Sequence, residues 1–464
     1  MLTLTNGFSQ SAKKPNIIII LADDLGWGDV GFHGSDIKTP NIDKLARDGV
    51  ILNRYYTAPV CSPTRAGLLT GRYPNRYGLR QTVIPPWSDF GLDVTEEYIP
   101  VMLKEAGYVN RAVLGKWHLG HAKREYLPLQ RGFTHFYGHY NGAIDYFTHE
   151  REGEPDWHND EDPSYDKGYS TDLISDEAVK CIKKYNTQSP FFIYVAYNAP
   201  HGPLQAKTED LLLYGFDSSK PRFGKMAGYD DADGYGIAGK GNNARQTYSA
   251  MVTNLDRGIG RILAALKEAG IEENTLVLFQ SDNGAAPNEG GTSGGLRGLK
   301  FQEWEGGVRA PAIVKWPAGF KGGRTVEQVM GYVDIAPTLR EIAGLTSAPA
   351  KPYDGLSMLS IWKGQIKQSD RNLYLGYGSI VNNRWKLVKA KSGNEKMTEP
   401  TDMLFEIIKD PSEKNNVINA NPRIHQELDK IVSGFDAIKP AKEVPPYGEG
   451  RKGFKAPKEW KISN

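Results

Sequence analysis

Residues able to do chemistry fall where apolar runs end. NIIIILA runs into Asp23 and Asp24, VNRAVLG into Lys116 and then His118, FFIYVAY is followed by His201 in NAPHGP, and NTLVLFQ leads to Asp282 and Asn283 in SDNG. If those runs are strands of an open α/β sheet, ligands gather outside their carboxyl ends. Three carboxylates, an amide, two imidazoles and an ammonium would then share one rim. Oxygen ligands of this kind suit a hard cation, Ca²⁺ or Mg²⁺, with the neutral Asn fitting Ca²⁺ slightly better; Zn²⁺ would recruit His or Cys directly. Alone, DD and DNG read more readily as turn formers, so it is their convergence on strand ends that points to an ion. Cys61 opens CSPTRAGLLTG, with Pro63 where a first helical turn tolerates it. A thiolate or anion there is favoured by free N–H groups and the helix dipole. Cys181, in DEAVKCIKKY, falls on the apolar face of a helical pattern and reads as core.

Positioning those residues requires an alternation of strands and helices, and residues 16–345 show it. Short β-branched runs alternate with PNIDKLARDG, IPVMLKEAG, STDLISDEAVKCIKKY, a helical stretch over 244–269 and VDIAPTLREIAG. The expected fold class is α/β, a large, mostly parallel sheet sandwiched by helices. Two segments, 140–168 and 217–243, lack a period and read as long loops, functional or mobile. After about residue 350, NLYLGYG, NNRWKLVKA and DMLFEIIKD predict short antiparallel strands, followed by a helix over 424–438. The division expected is a stub over 1–14, a catalytic domain over 15–348 and a C-terminal antiparallel subdomain over 349–464.

Composition narrows the classes. The 464 residues carry 57 basic and 55 acidic groups, net +2, without long like-charged runs, which argues against nucleic-acid binding. The strictly aliphatic run from Ile17 to Ala22 is far short of the roughly 20 residues of a membrane span. The start, MLTLTNGFSQSAKKP, lacks a basic n-region and a long apolar stretch. It reads as the stub of a trimmed export signal, with a periplasmic or extracellular location expected.

CSPTRAGLLTGRYP resembles the C-x-P-x-R-x-x-x-x-T-G signature of the type I sulfatases, of the alkaline-phosphatase superfamily. The likeness continues in family order through NIIIILADDLGWGD, TPNIDKLARDGV, LGKWHLG, AYNAPHGPLQ, QSDNGA, LRGLKFQEWEGGVR and LFEIIKDPSEKNN. The resemblance implies that Cys61 is oxidised before folding to Cα-formylglycine, by a formylglycine-generating or anaerobic sulfatase-maturating enzyme. Its hydrate would be the nucleophile, and a covalent sulfo-enzyme the intermediate. It implies one Ca²⁺ held by Asp23, Asp24, Asp282, Asn283 and the modified Cys61. Arg65 and Lys116 would hold the hydrate and sulfate, His118 would be the base, and His201 and Lys300 would clamp sulfate and protonate the leaving oxygen.

GFTHFYGHYNGAIDYFTHE, PHGPLQ and LRGLKFQEWEGGVR are most similar to the N-acetylgalactosamine-4-sulfatase branch and bacterial polysaccharide sulfatases. A sulfated polysaccharide or glycosaminoglycan fragment is the substrate implied, with a galactose-type 4-O-sulfate slightly favoured. Asp145, His149, Glu150 and Arg297, with Trp157 and His158, are the candidate sugar contacts. Two other readings remain: a phosphonate or phosphodiester hydrolase of the same superfamily, and a non-catalytic sulfated-glycan binder if Cys61 stays a thiol.

Overall fold

The computed structural model describes residues 13–80, 82–185, 189–224, 235–236 and 238–462. Most of the N-terminal stub and part of the 217–243 loop lie outside them. The main sheet has ten strands: β1 Asn16–Ala22, β2 Val50–Leu52, β3 Asn110–Lys116, β4 His135–His139, β5 His158–Asn159, β6 Asp162–Pro163, β7 Phe191–Ala196, β8 Thr275–Ser281, β9 Ala312–Lys315 and β10 Arg324–Val326. Their spatial order is β10-β2-β9-β8-β1-β7-β3-β4-β5-β6. The five central strands β8, β1, β7, β3 and β4 run parallel, with Ile19 of β1 level with Tyr194 of β7 and Leu278 of β8. Antiparallel pairings flank them on both sides. β1 is apolar throughout because both of its faces are covered: Ile17, Ile19 and Leu21 enter one core, Ile18, Ile20 and Ala22 the other.

The helices of seven residues or more are α1 Pro40–Asp48, α2 Cys61–Thr70, α3 Ile99–Glu105, α4 Ser170–Tyr185, α5 Ala244–Glu268, α6 Ile335–Ile342 and α7 Pro422–Asp436, within a few residues of expectation. α1, α4 and α5 cover one face of the sheet; α2, α3 and α6 cover the other. The aperiodic segment 140–168 contains four strands of two residues each, too short to leave a period in the sequence.

Four antiparallel strands, β11 Asn372–Gly376, β12 Ser379–Asn382, β13 Trp385–Val388 and β14 Met403–Glu406, form the small C-terminal sheet. Alternation on β12 shows how it is mounted. Ile380 packs with Leu428 and Val432 of α7, while Val381 packs into the same core as α2 and α6. A buried ion cluster also crosses this junction: Lys386 of β13 meets Glu305 at 3.0 Å and Glu413 at 2.9 Å, all three fully buried or nearly so. No helix among the described residues is long and apolar enough to cross a membrane.

Candidate active site

The parallel strands deliver their ends to one place. Asp23 donates its N–H to the Ala199 carbonyl and Asp282 donates to that of Ala22, so the segments after β1, β7 and β8 are laced together directly beyond the sheet. Asp24 takes a left-handed backbone, φ +64°, and its N–H donates to Asp282 Oδ1 at 3.2 Å. The turn is further pinned by residues that sequence spacing does not single out. Ser281 Oγ accepts from the Leu25 N–H. The Tyr248 hydroxyl lies 3.1 Å from the Asp24 carbonyl and 2.9 Å from Asp29 Oδ2.

Three buried carboxylates meet three buried cations here. Asp282 Oδ2 accepts from Arg65 Nε at 3.0 Å and Nη2 at 2.8 Å, the two-pronged geometry to which a guanidinium is suited. Lys116 Nζ donates to Asp23 Oδ2, and Lys300 Nζ to Asp24 Oδ2 at 2.7 Å. Burial works against the Asp24 charge, but Lys300 and Lys116 pull its carboxyl down to about 2. Asp282 is pushed up to about 7 by burial and the neighbouring Asp23 charge.

Cys61 begins α2, a helix all ten of whose residues are buried. Its thiol is 2% exposed, is pushed up by burial, and has Sγ 3.4 Å from His118 Nδ1. The Thr64 hydroxyl, bonded to the N–H and carbonyl of Ala58, and Ser62 Oγ, donating to the His118 carbonyl, fix the entry to the helix. His118 Nε2 is 3.1 Å from the Ile84 carbonyl. Since that carbonyl can only accept, the neutral ring carries its proton on Nε2 and turns a lone pair toward residue 61. Burial and Lys116 hold this imidazole well below its ordinary range. His201 is likewise neutral, pushed down to about 3 by burial and Lys300. Its Nδ1 donates to the Gly202 carbonyl at 2.6 Å, and Nε2 is 3.7 Å from Asp24 Oδ2.

The cluster fits a hard cation. Asp23 Oδ1 and Asn283 Oδ1 are buried and have no hydrogen-bond partner, although an orphaned acceptor is costly in a protein interior. One ligand atom each from Asp23, Cys61 and Asp282 lies within 4.8 Å of the other two, and so do those from Asp23, Asp24 and His201. Carboxylate and amide oxygens predominate, the donor set of Ca²⁺ or Mg²⁺.

Comparison with known proteins agrees with this geometry. The sulfatase family model matches residues 15–345. The chain belongs to the sulfatase family. It is a type I sulfatase of the alkaline-phosphatase superfamily, a sulfuric ester hydrolase, and families of this kind typically use Ca²⁺ and formylglycine. A second model, N-sulphoglucosamine sulphohydrolase, C-terminal, matches residues 300–434. Mouse arylsulfatase J is 32% identical, covering 94% of this chain and 78% of the relative. Mouse N-acetylgalactosamine-6-sulfatase is 34% identical, covering 80% and 70%. The crystal structure of Ps i-CgsB in complex with k-i-k-neocarrahexaose is 30% identical, with a TM-score of 0.81 over 95% of this chain and 97% of that one.

Most of the other candidate contacts of the sulfatase are engaged within the protein. Asp145 is 3% exposed and accepts from the N–H groups of Phe147, Thr148 and Gly236 and from Gln205 Nε2, so it closes its own loop. His149 donates from Nε2 to the Gly168 carbonyl at 3.0 Å and stacks on Trp157. Trp157 and His158, expected to meet sugar rings, are fully buried. The aromatic segment seals itself because its rings stack on one another, Tyr140 on His158 included. Arg297 lies 3.6 Å over the Trp304 ring and bonds Glu399 and the Glu413 carbonyl, tying the Lys300 loop to the small sheet. Glu150 is exposed.

Gly142 was not legible as a site residue, yet a Cβ there would come within 2.4 Å of His118 Nε2. Gly142→Ala must therefore displace the imidazole that faces Cys61. A misplacement of about 1 Å in a catalytic group costs about 10²-fold, so kcat is expected to fall by that order while far-UV circular dichroism stays unchanged. Steady-state kinetics on an aryl sulfate checks this.

Proposed function

We propose that this sulfatase removes sulfate from a sulfated carbohydrate, using formylglycine at position 61 and Ca²⁺ held by Asp23, Asp24, Asp282 and Asn283. The observation that carries this is the placement of Cys61 at a helix head, beside His118 and within the carboxylate cluster. When present, Ca²⁺ supplies a Lewis acid and the formylglycine hydrate supplies the nucleophilic hydroxyl.

The chain's own groups do the rest. Arg65, anchored on Asp282 and donating through Nη1 to the Lys116 carbonyl, fixes the floor of the pocket. Lys116 and Lys300, both buried, supply the positive charge that an anionic ester needs, in surroundings where charge interactions are strong. His118 accepts a proton at Nδ1. Lys300 is the proton donor to the leaving oxygen, because His201 is neutral and its ring hydrogen is committed to the Gly202 carbonyl; His201 positions the ester through Nε2.

This assignment predicts a dependence on the leaving group. Lys300→Ala is expected to lower kcat/KM for a sugar sulfate by about 10²–10⁴-fold, the usual span of general-acid catalysis, but to cost an activated nitrophenyl sulfate far less. Equal losses on both substrates would assign the proton to another group.

The carbohydrate class draws on the relatives: an N-acetylgalactosamine-6-sulfatase at 34% identity and a structure solved with k-i-k-neocarrahexaose at 30%. Within that class the expected substrate is a galactose-type 4-O-sulfate, the maturation partner is a formylglycine-forming enzyme, and the location is periplasmic or extracellular. Sulfate release from defined 4-O- and 6-O-sulfated galactose-type oligosaccharides, alongside a phosphonate monoester, tests the reading. Faster turnover of the phosphonate than of every sulfate would overturn it. Intact mass reports whether the thiol of Cys61 has become an aldehyde; a thiol with no sulfate release would leave the glycan-binder reading.

A further inference from the structure

A second cluster of ligating side chains stands apart from the sulfatase site. Glu177 and Cys181 lie one turn apart on α4, and His135 begins β4 beside them. One ligand atom from each of the three lies within 4.8 Å of the other two. His135 Nε2 and Glu177 Oε1 are hydrogen-bonded at 3.2 Å, a separation close to the roughly 3.3 Å that two metal–ligand bonds of about 2.0–2.1 Å would span at a tetrahedral angle, so a cation can replace the shared proton with little movement. The thiol is 2% exposed, and the three groups border a cavity of about 340 Å³ with room for water.

The surroundings are arranged as a ligand support. His135 Nδ1 is 2.9 Å from Asp160 Oδ1, an oxygen that also accepts from the Phe136 N–H and is thereby fixed. A carboxylate on the far ring nitrogen orients a histidine and turns Nε2 toward a metal. Lys180 occupies Glu177 Oε2 at 3.0 Å, leaving Oε1 facing the ring. Thiolate, imidazole and carboxylate together are a donor set for a borderline divalent cation, not for Ca²⁺.

We propose that His135, Glu177 and Cys181 form a second metal site, for a Zn²⁺-class cation with water as fourth ligand, that clips α4 to the main sheet. His135 sits at the opposite end of β4 from His139, which is level with Lys116. The clip is therefore structural: it stabilises the fold and leaves sulfate-ester turnover unchanged.

Cobalt tests it. Cys61 and Cys181 are the chain's two cysteines, so in Cys61→Ser protein any near-ultraviolet thiolate-to-cobalt band reports Cys181. One equivalent of Co²⁺ is expected to give that band and Zn²⁺ to abolish it, with His135→Ala and Glu177→Gln in the same background each weakening binding at least tenfold. Asp160→Asn is expected to weaken it by about 10–100-fold. No band in folded Cys61→Ser protein, or undiminished affinity in His135→Ala, overturns the proposal. Zinc equilibrium dialysis asks the same of the full chain with Cys61 in place: it should hold one equivalent more than Cys181→Ser and melt at a higher temperature with Zn²⁺ than without. Equal stoichiometry overturns the proposal. Because the readouts are metal content and melting, failure here leaves the sulfatase assignment intact.

Discussion

Cys61→Ser is expected to lower steady sulfate release by about 10⁴-fold or more relative to matured protein, the scale on which removing a nucleophile acts. A serine hydroxyl at the head of α2 keeps the volume and the His118 neighbour, so the melting temperature should move little. What it lacks is a second oxygen on the same carbon. Serine can take sulfate but cannot expel it without water attacking sulfur, a step that the second hydroxyl of the hydrate makes unnecessary. The expected trace is a single release of the leaving alcohol, at most one equivalent, with sulfate left on residue 61. Mass spectrometry of the quenched protein and the alcohol burst check it; sustained turnover at the matured rate would refute the role given to position 61.

Asp282→Asn should have the next largest effect, and it acts on two properties at once. The amide removes a charged oxygen from the proposed Ca²⁺ shell and abolishes activity at ordinary calcium concentrations. It also places an amide opposite Arg65, whose guanidinium is fully buried. Removing one partner of a buried ion pair costs about 3–5 kcal/mol; the lower end is expected because Asp23 Oδ2 remains 3.6 Å from Arg65. The control is matured protein stripped with EGTA, which should lose activity and regain it on adding Ca²⁺. Denaturant melts and calcium-dependent kinetics on both proteins check the prediction, and full activity in Asp282→Asn would sink the metal assignment.

Much of this pocket could be read from the chain because parallel strands buried on both faces appear as unbroken apolar runs, and the first polar residue after each run marks a carboxyl end. Asp23, Asp24, Lys116, Asp282 and Asn283 were found that way. The Cys61 segment was legible for another reason, a run of fixed spacing. Asp145, His149, Trp157 and His158 show where this stops. A stretch rich in Asp, His and aromatic rings has the same composition whether it faces a sugar or closes on itself, and here hydrogen bonds and ring stacking turn it inward. Asp29, Tyr248, Ser281 and Gly142 support the site through single contacts made across long separations, which no local pattern records. His135 and Cys181 belong to different elements, and only their packing makes them neighbours.

The full burial of α2 has a consequence for biosynthesis. On the proposed conversion of Cys61, the modifying enzyme has to reach the side chain before the pocket closes, and closure needs β8, whose last residue is Ser281. At about 5–20 residues per second, the ribosome spends on the order of ten to forty seconds between those two points. If position 61 is matured as proposed, a molecule that docks this strand before the side chain has been altered keeps its thiol, so slower translation or delayed collapse should raise the active fraction without changing a single contact in the finished enzyme.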